Sequence, residues 1–218
     1  MRFGVLGTGT VGTTIATKLV GLGHEVTVGA RQAGNEKAAA WAASAGDNAR
    51  HGTFSDTAAF GEVVVSATNG GHAVAALRAA GGDNLSGKLL IDVTNPLDFS
   101  AGFPPTLAVC NTDSLGEQIQ RAFPAARVVK TLNTVNAFVM VNPSLIPGGS
   151  SIFLSGNDTG AKQETAGVLR EFGWSDNDIV DLGDITTARG PEMLVPLWLR
   201  LFGVFGQVPF GIRVVRGK

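Results

Sequence analysis

The sequence predicts an α/β fold, a doubly wound and mostly parallel sheet with a short C-terminal helical appendage, and three observations carry that expectation. Short β-rich runs alternate with longer helical patterns, a glycine-rich turn follows the first run directly, and the chain changes character after residue 185. Strands are expected at 3–6, 25–29, 63–67, 89–93, 127–131, 151–155 and 179–182, with a weaker edge strand at 50–53. Between them, apolar residues recur at intervals of three and four over 11–22, 36–44, 72–80, 115–122 and 161–171, the helical spacing. Gly and Pro clusters at 69–71, 102–105 and 147–149 punctuate connections, and neither a linker nor a repeat divides the chain. The reading is therefore one unit over 1–185 and an appendage over 186–218 that packs on a cleft or on a dimer interface. Within the appendage, Leu194, Leu197, Trp198, Leu201, Phe202 and Phe205 have helical spacing, and their aromatic content suits either core or a homodimer surface.

Composition excludes several classes of function. In 218 residues, 44% hydrophobic and 16% charged content supports a buried core and argues against disorder. A net charge of -1 offers no broad field for nucleic acid or an anionic membrane, so neither is an expected partner and any anion site must be local. Cys110 is the single cysteine, and His24, His51 and His72 lie far apart without ligand spacing, so neither a disulfide nor a metal site is expected. The apolar stretch 193–210 is interrupted by Pro196, Arg200, Gln207 and Pro209 and falls short of a span of roughly 20 residues. The first residues run straight into an apolar strand without the parts of a signal peptide, which gives the expectation of a cytoplasmic protein.

The turn Gly7-Thr8-Gly9-Thr10-Val11-Gly12 stands between the first strand and the first helix, the context that turns a weak pattern into a Rossmann-type dinucleotide site. Gly7 suits the tight turn, Gly9 admits a pyrophosphate against the backbone, Gly12 lets helix and strand pack, and Thr8 and Thr10 add hydroxyl donors. A site selective for NAD ends its second strand in an acid that accepts from the ribose 2′-hydroxyl. Here that strand ends in Gly29-Ala30-Arg31 with Glu25 at its far end, so Ala30 leaves room, Arg31 forks onto a 2′-phosphate and Lys37 adds a second cation. The expected cofactor is NADP(H).

The inventory for proton transfer is thin. The chain has no Tyr, which removes the Tyr/Lys pair of many ketone reductases. Lys130 and Asn133 stand near a strand's carboxyl end, the ligand edge of such a sheet, and Lys130 reads equally as a lysine capped by carbonyls. His72 is expected near a helix start beside the nicotinamide, more often a structural place for a lone His. Asp92, Thr94, Asn95 and Pro96 follow the next strand and line the nicotinamide side or satisfy loop amides. Hydride transfer between two redox rings needs mainly correct stacking, and so few acid-base groups suit it.

Taken together, the 7–12 turn, Gly29-Ala30-Arg31, Asp92-Val93-Thr94-Asn95-Pro96 and Val129-Lys130-Thr131-Leu132-Asn133-Thr134 resemble the coenzyme F420-dependent NADP oxidoreductase family over most of the chain. The resemblance implies a Rossmann unit holding NADP, contacts from Gly9, Thr10, Val11 and Arg31, a nicotinamide side bordered by Thr68 and Asn69, and a C-terminal part that helps form a deazaflavin pocket. The 130–134 stretch is also similar to the soluble reductase domain of six-helix membrane metalloreductases, which pair NADPH with a flavin. The bulky 191–210 segment departs from the deazaflavin enzymes, and Trp198, Phe202 and Phe205 there fill the second-cofactor site or serve a dimer. The resulting expectation is hydride transfer between NADP(H) and coenzyme F420 or FAD/FMN, with a small-molecule redox substrate and a homodimer. An imine or carbonyl-type reductase is the enzyme alternative, although only about 30 residues follow Asp184, too few for a long helical substrate domain. The other alternative is a sensor that binds NADP without turnover.

Overall fold

In a computed structural model the chain is described over residues 1–217, and Lys218, the last residue of the expected appendage, lies outside the described residues. The elements run β1 (Arg2–Leu6), α1 (Thr10–Gly21), β2 (Glu25–Ala30), α2 (Glu36–Ala45), β3 (Ala49–Thr53), α3 (Phe54–Phe60), β4 (Val63–Ser66), α4 (Ala73–Ala80), α5 (Gly82–Leu85) and β5 (Leu89–Asp92). There follow β6 (Leu97–Asp98), β7 (Thr106–Leu107), α6 (Leu115–Ala122), β8 (Arg127–Lys130), α7 (Ala137–Val141), β9 (Ile152–Ser155), α8 (Thr159–Phe172), β10 (Ile179–Gly183) and α9 (Arg189–Phe205).

Eight strands form one sheet in the order β10-β9-β8-β5-β4-β1-β2-β3, the doubly wound arrangement that reverses between β1 and β4. Pairing is parallel except at β8 and β9, which meet antiparallel through Lys130 and Ser155. Strand period two sorts side chains onto two faces. Phe3, Val5, Val63, Val65, Leu89 and Ile91 point into one core with α1 and α8, while Leu6, Val64, Leu90 and Val128 point into the other with α4 and α6. Burial on both faces is why the strands read as continuous Val/Ile/Leu runs.

The hairpin β6–β7 and the short helix α7 project from the carboxyl ends of the parallel strands, and α9 crosses over them. On α9 the buried residues are Pro191, Glu192, Val195 and Leu199, whereas Leu197 and Phe205 are exposed. The stripe expected from spacing is thus displaced around the helix: a helix apolar on nearly every side does not reveal by periodicity which face is covered. Beyond α9 the chain turns at Gly206 and runs back. Ser151 N donates to Ile212 O at 2.8 Å, and Phe210 stacks on Trp198 with ring centroids 5.1 Å apart. No helix among the described residues is long and apolar enough to cross a membrane.

Candidate active site

The phosphate-binding turn is built as its glycines require. Gly7 takes φ 127°, and a Cβ there would come 2.5 Å from Ala67 O. Gly12 lies directly on the Gly7 carbonyl, so a side chain there would separate α1 from the turn. Gly9 caps α1 with extended backbone and open space in front of it, and no acid stands in the helix's first turn. The N-terminus of α1, with Thr10 exposed on its first residue, therefore offers free amides and a positive dipole end to an anion.

A cleft of about 450 Å³ opens over this turn, lined by Gly7–Gly9, Gly29–Gln32, Asn35, Phe54 and 67–69. Arg31 is exposed at its mouth and makes no ion pair with any described residue, while Ala30 beside it is buried and small. Glu25 sits at the far end of β2, held by Arg50 at 2.7 Å. Lys37, on the first turn of α2, is exposed and does not line the cleft: Asn35 caps α2 by accepting from Ala38 N, which starts the helix just past the cleft. A side slot of about 380 Å³ between Arg31, Phe54, His72 and Ala79 suits a flat base. His72 therefore borders this slot and not the second pocket.

The second pocket, about 360 Å³, shares Ala67, Thr68 and Asn69 with the first cleft. Its floor holds Val11, Thr94, Asn95 and Asn133 from three different strand or helix ends, the start of α1 and the loops after β5 and β8. Asn133 Nδ2 donates to Asn95 Oδ1 and Asn95 Nδ2 donates to Asn133 O, both at 2.9 Å, so the two amides fix each other. Leu132 takes a left-handed φ of 62°, costly for a branched residue, and its buried side chain holds the turn that presents Asn133. Thr68 Oγ1 is buried without a partner among the described residues, a hydroxyl waiting for a ligand atom. Pro96 is buried and does not line the pocket; its carbonyl accepts from Ala108 N at 2.8 Å.

Beneath the floor lies a buried ionic cluster. Lys130 Nζ meets Asp92 Oδ2 at 2.5 Å and Glu192 Oε1 at 2.9 Å and donates to Thr94 O at 2.7 Å. Burial opposes the ammonium, but the two carboxylates outweigh it and hold the Lys130 pKa above its ordinary value. Asp92 Oδ1 accepts from Thr94 N and Oγ1, so both charges clamp a floor residue. Glu192 also accepts from Leu115 N and Gly116 N, the first amides of α6. Arg189 adds a second tie, pairing with Glu117. The ring of partners makes Lys130 a structural cation, with no solvent route for proton transfer. Glu192 escaped sequence reasoning; its signal is a lone acid on the face Pro191, Val195 and Leu199 of an apolar helix. Among the described residues no group of three or more His, Cys, Asp or Glu could hold a metal ion.

Comparisons agree with this geometry. The model of a family described as NADP oxidoreductase, coenzyme F420-dependent, matches residues 2–96, from β1 through Pro96. A crystal structure from Arthrobacter sp. FB24, provisionally assigned as an F420-dependent NADP-reductase, is 52% identical with a TM-score of 0.91 over 99% of both chains. Metalloreductase STEAP3 of Rattus norvegicus is 29% identical over 203 residues, which cover 90% of this chain and 38% of that protein, so this chain spans well under half of that relative's length. A reductive aminase of Aspergillus terreus, solved with NADPH, shares the fold at 20% identity and a TM-score of 0.66, over 94% of this chain and 62% of its own. Sheet order, glycine turn and near full-length similarity converge: the chain belongs to the coenzyme F420-dependent NADP oxidoreductase family and is an NADP-dependent oxidoreductase.

Proposed function

We propose that the protein transfers hydride between NADP(H) in the first cleft and a ring cofactor, coenzyme F420 or FAD/FMN, in the second pocket. The observation that carries this reading is the shared wall: a nicotinamide passing Ala67, Thr68 and Asn69 enters a pocket none of whose lining residues is an Asp, Glu, His, Lys, Arg or Cys. Such a pocket orients rings and excludes water; it has no side chain suited to protonating an alkoxide or amine. When bound, the nicotinamide supplies the hydride chemistry. The turn from Gly7 to Gly12, with the Thr8 and Thr10 hydroxyls, holds the pyrophosphate, Ala30 and Arg31 receive the 2′-phosphate, and Val11, Thr68 and Asn69 border the nicotinamide ribose. Thr94, Asn95 and Asn133 face the carboxamide, and Pro96 acts only by shaping their loop.

The test is NADPH oxidation with coenzyme F420, FAD, FMN and a cyclic imine as acceptors. Turnover with a ring cofactor and none with the imine is the expected result. Turnover with the imine alone favours the imine or carbonyl reductase reading, and binding without any turnover favours a sensor.

We further propose a homodimer through the outer face of α9, where Leu197, Val204 and Phe205 are 51%, 76% and 49% exposed, an apolar patch of the kind subunits cover. Light scattering after size exclusion is expected to give twice the 22.4 kDa chain mass, and a clean monomer would end this part of the account. The exposed, unpaired Cys110 suits a reducing compartment, in keeping with a cytoplasmic place.

A further inference from the structure

The second pocket has a roof as distinct as its floor. Leu97 and Phe99 from the β6 hairpin, Met140 from α7, and Val195, Trp198 and Leu199 from α9 face the asparagine floor. That roof is apolar apart from one group, the indole N–H of Trp198, which is buried with no partner among the described residues. A donor left so loses the hydrogen bond it makes to water in the unfolded chain unless a ligand accepts from it. The indole is also held in place: Phe202 lies parallel to it within 18° at 5.4 Å and Phe210 within 23° at 5.1 Å, which fixes the direction of its N–H.

Charge around the pocket is as informative. No cation lines it. The ions beneath the floor are one ammonium, Lys130, against two carboxylates, Asp92 and Glu192, so the nearest buried charge is net negative. An anionic group drawn into this space would lose hydration and find no counterion.

Building on the hydride-transfer reading above, we infer that the second pocket selects an uncharged, flat, acceptor-bearing ring, packed under Trp198, and that an anionic tail on that ring adds no affinity. The ring lies between nicotinamide and roof, a ring carbonyl or nitrogen accepts from the indole N–H, and any phosphate stays in solvent beyond half-exposed Phe99. Glu192 fixes the roof one turn below Val195 and two below Leu199, through Lys130 and the α6 amides. In turnover NADPH gives up its hydride, the ring accepts it, and solvent supplies the second proton of the reduced ring.

Riboflavin and FMN share one ring and differ by a phosphate, which makes them the probes. Calorimetric titration into protein saturated with NADP⁺ is expected to give dissociation constants within about threefold of each other, unaffected by salt. Trp198→Ala is expected to weaken riboflavin by about tenfold or more with NADP⁺ affinity unchanged, and Trp198→Phe, which keeps an aromatic roof and loses the donor, to lie between. FMN binding about tenfold tighter than riboflavin and weakening with salt overturns the inference, as does riboflavin binding unchanged in Trp198→Ala. Absence of heat with either ring overturns it too, and NADPH oxidation by coenzyme F420 then shows separately whether the wider reading survives.

Discussion

Replacing Arg31 by alanine is expected to weaken NADPH by ten- to about a hundredfold while NADH changes less than about threefold. The guanidinium stands at the carboxyl end of β2 without an ion-pair partner among the described residues, above a buried alanine that leaves space. Charge-assisted, bidentate bonds to phosphate contribute about 1.5–3 kcal/mol, and NADH has no phosphate to receive them. Glu25, the one acid on that strand, is at its opposite end and engaged by Arg50, so nothing in wild type favours a free ribose hydroxyl. Arg31→Lys should fall between, since an ammonium offers charge without the planar fork. Equal losses for both nucleotides would show that Arg31 acts on the shared adenosine.

Replacing Lys130 by methionine is expected to destabilise the fold by about 3–5 kcal/mol, because Asp92 and Glu192 are left buried against each other without their cation. For a chain of this size that corresponds to a fall in Tm of roughly 6–20 °C by calorimetry. Adding Glu192→Gln to the same chain removes one orphaned charge and should recover part of the loss. A single substitution within about 1 kcal/mol of wild type would mean that the cluster is not ionised as described. The sign of the pH effect follows from the raised Lys130 pKa. Its stabilisation is complete below the unfolded lysine value of about 10.4 and is lost only as pH rises through the higher folded value, so this group adds no pH dependence near neutrality.

What the chain discloses in sequence is what local pattern can encode. All eight strands of the sheet lie where β-rich runs place them, the weak edge strand at 50–53 included, and the turn from Gly7 to Gly12 sits between strand and helix as its spacing requires. Arg31, Thr68, Asn69, Thr94, Asn95 and Asn133 fall along the two clefts because a parallel sheet gathers the carboxyl ends of its strands at one edge. Short elements carry too few residues for a period to show. Thus no period marks α3, although Thr53 and Asp56 form a capping box in front of it, and none marks α7 or the β6–β7 hairpin. The reversal at β9 is not written in hydrophobic pattern, which is indifferent to strand direction. Lys37 stands outside the first cleft and His72 on the side slot, places that depend on where a helix begins, to within a residue or two. Glu192 joins Lys130 across 62 residues of chain, a pairing only the tertiary structure can disclose.

The claim on which the rest stands is that the first cleft prefers the nucleotide bearing a 2′-phosphate. Calorimetric titration of the unmodified protein with NADP⁺ and NAD⁺ tests it most directly. The account predicts NADP⁺ binding at least about tenfold tighter, with an advantage that shrinks as salt is raised. Equal affinities, or heat from neither nucleotide, would contradict it.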